Sequence, residues 1–515
     1  MKKIAKFLIV LGMMGQLSSC DYLDIVPDER AQESDTWKTE GAVRGYLYSC
    51  YGYLPANRTF GNSYWLAEEL TAVTKELFTT FKYGYYSPVS LGFTSNTWST
   101  IWNGIHQCYM FQESLKQVSN EYVTDEMKKQ YLAESNFLIA YYHFLSMRSY
   151  GPTMIIRSVI DLETPISGFP ERSSIDEVVA FINEKLDEAM SEGGLPTTWS
   201  GKDYGRATRL AALALKSRVY LYAASPLYNG NTEMYADFRS PLDGRQLIAQ
   251  EKSQAKWEIS ATQTKYAIDE VEKAKFHLYH DADAGEPSDA KPGLPNKAQR
   301  RLRYTNIDNQ TGNNPEIIWA DTRNDDYYGI QRRCPPRQTL GGKFAGISMT
   351  NCPTLQTIEA FYTKNGLPIN KDKTFDYDER YEYISAPENC DGNNYEDLVK
   401  YANFTPSSDK VMRLCTDREP RFYAWTTYHN GYFEFGKYNN EEISADPAKR
   451  AIRIHLLRDD PHGRGNRTDQ EYSISGFGNK KGVVPSAEWN VIEYPFPLFR
   501  LAELYFCLLY TSDAA

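Results

Sequence analysis

The feature that most limits the possible folds is a succession of amphipathic segments that fills the chain from Trp37 to about residue 275. Their apolar residues recur with the three- and four-residue spacing of helices, and short polar stretches separate them. The longest predicted helices cover residues 98–118, 127–150, 175–190, 207–224 and about 256–275. Because short turns join them, successive helices are expected to pack antiparallel.

The inner faces of these helices combine small and aromatic side chains. The residues expected to face inward are Leu132, Ala133, Phe137, Ala140, Tyr141, Phe144, Leu210, Ala211, Leu213, Ala214, Tyr220 and Leu221. Such packing is typical of tetratricopeptide helix pairs, but the strict repeat length is missing and a plain helical bundle fits almost as well. The predicted fold class is mainly α: a tetratricopeptide-like scaffold of helical pairs with a large, irregular, loop-rich region that carries short β-strands.

The sequence changes character between about residues 276 and 495, where Pro, Gly and Asn become frequent and long loops are expected. Short aromatic runs such as Arg421–Tyr428 have the character of β-strands. Helical spacing returns at Phe496–Tyr510, and the sequence stops soon afterwards. We expect this last stretch to be the start of a truncated C-terminal helix pair, with Thr511–Ala515 foreign to the native sequence.

The N-terminal residues have the features of an export signal. Lys2, Lys3 and Lys6 precede an apolar stretch that is too short to span a membrane. Leu17-Ser-Ser-Cys20 then resembles a bacterial lipobox, in which the cysteine becomes an acylated N-terminus. Several acyl chains give stable anchoring where a single chain is marginal. An ordinary signal peptide with a coincidental cysteine is the weaker alternative.

These boundaries predict the organisation of the whole chain. Beyond the signal peptide, no apolar run approaches the ~20 residues of a membrane span, so a lipid is the expected membrane contact. The predicted parts are a signal peptide (1–19), a lipidated N-terminus and tether (20–36), a tetratricopeptide-like helical region (37–275), a loop-rich region (276–495) and the start of the C-terminal helix pair (496–515).

Cysteine and histidine usage does not indicate a metal centre. Of the 8 cysteines, an odd number remains if Cys20 is lipidated, so at least one is unpaired. No CxxC occurs, and no histidine stands at zinc-finger spacing from a cysteine pair. Cys334 and Cys352 could bridge a loop, but small buried residues are the better interpretation. His277 and His280 lie at a helix end without further ligands, and a solvated helix end is the favoured interpretation.

Charge and motif content exclude several classes of function. Asp and Glu outnumber Lys and Arg by 67 to 57, which argues against nucleic-acid binding. Phosphate-loop, dinucleotide, nucleophile-elbow and zinc-protease motifs are absent from the sequence. Paired carboxylates for glycoside hydrolysis stay open, because only geometry can decide which acids form a pair. No cofactor or metal is predicted, and the protein is expected not to be an enzyme.

Aromatic residues are abundant, with 39 Tyr, 23 Phe and 9 Trp. Residues 60–65, 81–86 and 321–328 place them in loop-like surroundings. An aromatic ring can cover the apolar face of a sugar while polar side chains bond its hydroxyls, and the same set would bind an extended peptide. Packing within their own loops is the alternative for any single ring. We expect one cleft that binds a neutral glycan with little dependence on salt. The candidate ligand-binding residues are Trp65, Tyr83, Tyr85, Tyr86, Arg323, Asn324, Tyr327 and Tyr328.

Several motifs, in one order, resemble the SusD/RagB family of outer-membrane nutrient-uptake lipoproteins. The most specific match is Tyr204-Gly-Arg-Ala-Thr208, which leads to residues 217–225. The others are the lipobox with its following Asp-Tyr-Leu-Asp, Tyr131–Phe144 with Tyr150-Gly-Pro152, Asn314–Trp319, Asp417–Arg421 and Phe499–Glu503. These are scaffold signatures, so Arg206 and Arg218 are expected to hold helix ends or carboxylates. The resemblance runs from Cys20 to about Tyr510, and the family would continue further.

The resemblance implies a tetratricopeptide-type scaffold with an irregular ligand-binding face, here residues 276–495. It also implies a lipid-anchored protein of the outer membrane that faces the cell exterior and serves a SusC-like TonB-dependent transporter. Family ligands are usually oligosaccharides and sometimes peptides. The leading hypothesis is non-catalytic capture of oligosaccharides for that transporter. The alternatives are peptide capture of the RagB type, a surface glycosidase, and a tetratricopeptide scaffold that binds only proteins.

Overall fold

The computed structural model describes residues 37–55, 68–72, 84, 87, 94–161, 163–284, 297–308, 314–323, 330–336, 349–385, 410–434, 451–460, 462–465, 472–484 and 494–514. The signal peptide, Cys20, the tether and Cys390 lie outside the described residues. Among the candidate ligand-binding residues, Arg323 is described. The others lie outside the described residues: Trp65, Tyr83, Tyr85, Tyr86, Asn324, Tyr327 and Tyr328.

Twelve α-helices follow one another in the described part of the chain. They are α1 (Glu40–Tyr51), α2 (Thr94–Leu115), α3 (Asp125–Tyr150), α4 (Ile175–Ala189), α5 (Arg209–Ala224), α6 (Thr232–Tyr235), α7 (Gln254–Lys273), α8 (Lys297–Tyr304), α9 (Ile330–Arg333), α10 (Leu355–Ala360), α11 (Pro420–Trp425) and α12 (Leu501–Ala514). The longer ones are α1 to α5, α7 and α12, and these form the scaffold.

The scaffold helices pack in chain order. Helix α1 contacts α2, α2 contacts α3, and the series continues through α4, α5 and α7 to α12. Helix α3 lies at the centre, since it also contacts α1 and α5. This arrangement confirms the predicted fold class of a helical scaffold with short strands and loops. The predicted bounds of the internal helices agree with the structure to within a few residues.

Hydroxyl side chains determine where four of the scaffold helices begin. Thr39, Thr124 and Thr208 each accept a hydrogen bond from a backbone N–H of the first turn. Ser174 forms a reciprocal pair with Glu177, in which each side chain accepts a bond from the other residue's backbone N–H. These bonds satisfy amide groups that the helix cannot pair internally, and each stabilises its helix by about 1 kcal/mol.

Helix α3 supplies much of the scaffold core. Its residues 133–147 are all buried, including Phe137 and Phe144. Leu132, which was predicted to face inward, is 41% exposed. It follows residues 125–130, which are all exposed or half-buried, so the first turns of α3 are less covered than the rest of the helix. Tyr220 and Leu221 of α5 are half-buried, so the predicted inner face of that helix is only partly covered.

The strands of the described residues form six separate two-stranded antiparallel sheets. The pairs are β1 (Leu70–Thr71) with β5 (Cys352–Pro353), β2 (Thr153–Met154) with β3 (Arg172–Ser173), β4 (Ile317–Asp321) with β12 (Phe496–Arg500), β6 (Tyr383–Ser385) with β7 (Lys410–Met412), β8 (Thr426–Thr427) with β11 (Gly478–Asn479), and β9 (Tyr432–Glu434) with β10 (Ala451–Arg453). Most are so short that they fasten loops together without building a continuous sheet.

The pair of β4 with β12 joins the loop-rich region to the scaffold. Phe499 lies opposite Trp319 with the rings stacked at 5.9 Å, and Trp319 meets Phe137 of α3 edge-on at 5.0 Å. The helix predicted from Phe496 is therefore wrong at its start, because residues 496–500 form β12 and α12 begins at Leu501. Pairing with β4 decides the structure here, because it gives residues 496–500 ladder hydrogen bonds with Ile317–Asp321.

A second, smaller core lies within the loop-rich region. Its buried members are Ile358, Ile369, Phe375, Val411, Leu414, Cys415, Phe422, Tyr423, Tyr428 and Phe477. The run from Arg421, predicted to be β-like, is mostly the helix α11, and only Thr426–Thr427 form a strand. Pro420 opens this helix, because the fixed φ of proline suits the first helical position.

The described cysteines are all free and buried, which confirms their interpretation as small core residues. They are Cys50, Cys108, Cys334, Cys352, Cys415 and Cys507. The disulfide bond that Cys334 and Cys352 could have formed is not present, since both thiols are free. A search of the described residues finds no helix with the length and apolarity needed to cross a membrane.

Candidate ligand-binding cavity

Arg323 is the sequence-predicted site residue that the described part of the chain contains. Its guanidinium pairs with Asp321 at 2.6 Å and donates to the carbonyl oxygens of Leu54 at 2.8 Å and Pro55 at 3.0 Å. These bonds hold the chain after α1 against the end of β4. The side chain is 37% exposed, so its contact with a ligand stays a prediction.

A cavity of about 680 Å³ opens where β1, α10, α11 and β11 meet. Its volume falls within the range of about 300–1,000 Å³ that is typical of ligand pockets. We call it the Trp425 cavity. It is lined by Glu69, Leu70, Pro353, Thr357, Ala360, Phe361, Arg421, Trp425, Thr426, Asn479 and Lys481.

Backbone pairing fixes the walls of the Trp425 cavity. The β1–β5 pair carries one wall, and the β8–β11 pair places Thr426 opposite Asn479 on another. Gly478 allows β11 to approach β8 closely, since an added Cβ would lie only 2.9 Å from the Cβ of Thr427. The glycine is therefore required by packing at this position.

Trp425 provides a broad aromatic surface in the cavity. Its indole N–H donates to the carbonyl oxygen of Leu302 at 3.1 Å, which fixes the orientation of the ring. The Nζ of Lys481 lies 4.6 Å from the ring centroid, in a cation–π contact. Burial, and then the positive charges of Arg500 and Arg421, lower the pKa of Lys481. The carboxylate of Glu69 acts in the opposite direction but does not offset these effects. Among the described residues Lys481 has no ion-pair partner within salt-bridge distance.

Arg421 supplies a second cation whose position is fixed. It makes two hydrogen bonds to the carboxylate of Glu419, at 2.7 and 2.8 Å, and these raise the pKa of Arg421. Glu419 is itself held by the backbone N–H of Tyr362 at 2.8 Å. Glu69 and Thr357 add a carboxylate and a hydroxyl to the lining. The cavity thus offers a flat ring, two cations and several hydrogen-bonding groups to a polar ligand.

Sequence reasoning missed this cavity. Arg421 and Trp425 lie in a run that was assigned to a strand, and no spacing pattern links them to Glu69 or Lys481. Only the fold brings these distant parts of the chain together. The sequence pattern that could have indicated the cavity was a tryptophan near basic residues in a loop-rich region. That pattern is too common to identify a binding site.

Neither of two cavities offers the carboxylate pair that glycoside hydrolysis usually requires. The second cavity, of about 400 Å³, is lined by Tyr383, Lys410, His429, His455, Leu457 and Asp460. Each cavity has a single acid among its described lining residues, Glu69 in one and Asp460 in the other. Their geometry therefore gives no support to the surface-glycosidase hypothesis.

Two family models match the sequence. A SusD-like model, described as starch-binding and associating with the outer membrane, matches residues 21–221, and the SusD family model matches residues 315–508. Together the two models span most of the chain. The chain belongs to the SusD/RagB family. A comparison with curated protein sequences finds no significant match.

Solved structures agree with this assignment. The protein BT4246 is 27% identical, with a TM-score of 0.75 over 92% of this chain and 79% of its own. A SusD-like protein from Bacteroides fragilis NCTC 9343 (BF3747) is 19% identical, with a TM-score of 0.61 over 93% and 76%. A SusD-like carbohydrate binding protein from the same organism (BF0978) is 16% identical, with a TM-score of 0.55 over 92% and 74%. The last two similarities support the fold alone.

The SusD/RagB motifs lie in the scaffold of this protein. Arg206, from the motif at 204–208, pairs with Glu134 of α3 at 2.5 Å. Arg218 of α5 pairs with Glu503 of α12 at 2.6 Å. Both arginines hold carboxylates, which confirms their predicted role, and neither lines the Trp425 cavity.

Proposed function

We propose that this SusD/RagB protein is a non-catalytic lipoprotein of the outer membrane that captures oligosaccharides at the cell surface. It is anchored through Cys20 and delivers its ligand to a SusC-like TonB-dependent transporter. The observation that carries the proposal is the Trp425 cavity, a ligand-sized site in a member of this family. Most of its lining belongs to residues 276–495, the proposed ligand-binding region. Family membership supports the location and the transporter partner.

The chemistry of the cavity suits a sugar. The ring of Trp425 can cover the apolar C–H face of a pyranose, as can Phe361 beside it. Lys481 and Arg421 can donate hydrogen bonds to ring hydroxyls, and Glu69 can accept them. Each aromatic contact contributes about 1 kcal/mol beyond the burial of area, so the expected affinity is weak to moderate. Such affinity fits a protein that must release its ligand to a transporter.

A bulky side chain at Ala360 tests whether the ligand occupies the Trp425 cavity. Ala360 is exposed at the end of α10 and lines the cavity, so Ala360→Trp should fill the space without disturbing the core. Titration calorimetry against a panel of oligosaccharides should show binding by the wild type and at least tenfold weaker binding by the variant. Leu355→Trp is the matched control, because Leu355 is exposed on the same helix but does not line the cavity.

The result distinguishes the competing functions. Equal affinities of wild type and Ala360→Trp would place the ligand elsewhere. Binding of peptides but of no oligosaccharide would favour the RagB-type alternative. Release of reducing sugar from polysaccharides would show a glycosidase, and a protein partner with no small ligand would favour the scaffold alternative.

The residues predicted from sequence are tested in the same assay. Trp65→Ala and Tyr327→Ala should weaken oligosaccharide binding several-fold while leaving the melting temperature nearly unchanged, because a ligand-contacting ring adds little to the core. A buried aromatic residue would instead cost about 3–5 kcal/mol of stability when cut to alanine. Unchanged affinity with a collapsed melting temperature would show that these rings belong to the core.

A further inference from the structure

Three side chains that can bind a metal converge just after helix α7. His277, His280 and Asp283 each present a ligand atom, and the three atoms lie within 4.8 Å of one another. The Nε2 of His277 lies 3.2 Å from Asp283 Oδ1, and the Nδ1 of His280 lies 3.9 Å from Asp283 Oδ2. From sequence, the two histidines lacked a further ligand. The fold of residues 277–283 supplies that ligand as Asp283.

The spacing of these atoms suits a small tetrahedral metal ion. With metal–ligand bonds of about 2.0–2.1 Å, neighbouring ligands of a tetrahedral site lie about 3.3–3.4 Å apart. The two separations to Asp283, one to each carboxylate oxygen, bracket that value, and all three ligand atoms lie within 4.8 Å of one another. Side-chain rotations would bring them to the distances of a tetrahedral site. Three protein ligands would leave the fourth position to water. All three side chains reach solvent, with exposed fractions of 45%, 63% and 21% in chain order, so an ion can enter.

Hydrogen bonds already orient the ligands. The Nδ1 of His277 faces the carbonyl oxygen of Lys275 at 3.4 Å, and its Nε2 is hydrogen-bonded to Asp283 Oδ1 at 3.2 Å. A metal would take the place of the proton between Nε2 and Oδ1, while a proton on Nδ1 faces the carbonyl oxygen. The carboxylate of Asp283 accepts the backbone N–H of His280 at 2.6 Å. The two imidazole rings stack with their centroids 5.2 Å apart. The three side chains are therefore held together before any ion binds. Because the ring planes are within 17° of parallel, one imidazole must rotate for both nitrogen lone pairs to point at a single ion.

The backbone that carries the cluster is fastened to the loop-rich region. The N–H of His277 donates to the carbonyl oxygen of Pro315 at 3.1 Å. The N–H of Tyr279 donates to the carboxylate of Glu316 at 2.9 Å, and the phenol of Tyr279 donates to Asp308. These contacts place the three ligands on an ordered segment, which reduces the entropy lost when they coordinate an ion.

We propose that His277, His280 and Asp283 form a binding site for a single Zn²⁺ ion. Imidazole nitrogen favours zinc and neighbouring transition metals over Ca²⁺ and Mg²⁺, which prefer oxygen ligands. The nearby Asp281 is engaged with Arg301 at 3.1 Å and is not one of the ligands. This site is separate from the Trp425 cavity and does not depend on the proposed ligand. Zinc would fasten the end of the helical region at its junction with the loop-rich region.

Titration calorimetry with zinc chloride tests the site in full-length protein that carries no histidine tag. The wild type should bind one Zn²⁺ with micromolar or tighter affinity, and excess Ca²⁺ or Mg²⁺ should not compete. His277→Ala and Asp283→Asn should each weaken this binding at least tenfold. Because zinc binds the folded state, it should also raise the melting temperature of the wild type but not of these variants.

His106→Ala is the matched control, because His106 is an exposed histidine on α2, outside the cluster. It should keep the affinity of the wild type. Melting curves without metal show whether each variant folds, which these exposed positions should permit. The proposal is overturned if the wild type has no saturable site in the micromolar range, or if His277→Ala and Asp283→Asn bind zinc as tightly as the wild type.

Discussion

The buried ion pair between Arg206 and Glu134 should be a main determinant of the stability of the scaffold. Glu134 is fully buried on α3, and Arg206 is 9% exposed. The guanidinium makes two hydrogen bonds to this carboxylate and lies 4.0 Å from the ring centroid of Trp199. Tyr51 of α1 donates to the same carboxylate at 2.7 Å. Three separate parts of the helical region therefore meet at one buried charge.

The expected cost of Arg206→Met follows from what the variant leaves behind. Glu134 would remain buried with Tyr51 as its one described side-chain donor, and an uncompensated buried charge costs about 3–5 kcal/mol. Glu134→Gln keeps an acceptor and removes the charge, so its cost should be nearer 1–2 kcal/mol. In the double variant no fully buried carboxylate remains unpaired, because Asp203, the other partner of Arg206, is 21% exposed. The double variant should therefore be more stable than Arg206→Met alone, with a coupling energy of about 1–3 kcal/mol.

Urea unfolding, followed by far-ultraviolet circular dichroism, measures these differences as shifts of the midpoint. The control is Lys364→Met, which breaks an exposed pair with Asp417, whose side chains are 61% and 58% exposed. This exposed pair should contribute less than about 1 kcal/mol to the free energy of unfolding. The reasoning is refuted if Arg206→Met costs no more than the control, or if the double variant is no more stable than Arg206→Met.

Two further predictions concern pH and anchoring. Burial lowers the pKa of His143 to about 4 from 6.5, so the folded state holds the neutral imidazole while the unfolded chain takes up a proton below about pH 6.5. The free energy of unfolding should therefore fall by up to about 3 kcal/mol as the pH drops from 6.5 towards 4. His143→Gln should make this free energy, measured by urea unfolding, nearly independent of pH over the same range. Cys20→Ala should abolish acylation and release the protein from membranes in cell fractionation; a variant that resists a salt wash would contradict the lipobox prediction.

The helical scaffold was predictable because its determinants are local. Apolar spacing and hydroxyl caps such as Ser174 lie within one segment, so they can be recognised in the sequence. The predictions of secondary structure failed where contact with a segment far away in the sequence decides the local structure. Phe496 is in a strand because β4 offers an edge to pair with, although the same residues have helical spacing. The run from Arg421 is mainly helical because Phe422 and Tyr423 pack into the second core.

The candidate site was less predictable because it is assembled from distant parts of the chain. Glu69, Trp425 and Lys481 meet only once the short sheets have formed. The same limit applied to the proposed zinc ligands, although they are close in sequence. His277 and His280 were recognised as neighbours, but the convergence of Asp283 depends on the turn that follows, which apolar periodicity does not report.

The basic residues of this protein differ in how their charge is compensated, and this difference bears on the proposed function. Arg206, Arg218 and Arg323 each lie within 2.6 Å of a carboxylate, and each joins parts of the chain that are far apart in sequence. Lys481 is half-buried against Trp425; burial and two neighbouring arginines lower its pKa, and Glu69 offsets this only in part. An oxygen of a bound ligand would return to this ammonium group part of the solvation that burial removes. A hydrogen bond from Lys481 to a ligand should therefore strengthen binding more than one from an exposed lysine, because Glu69 only partly offsets the effect of burial on its charge.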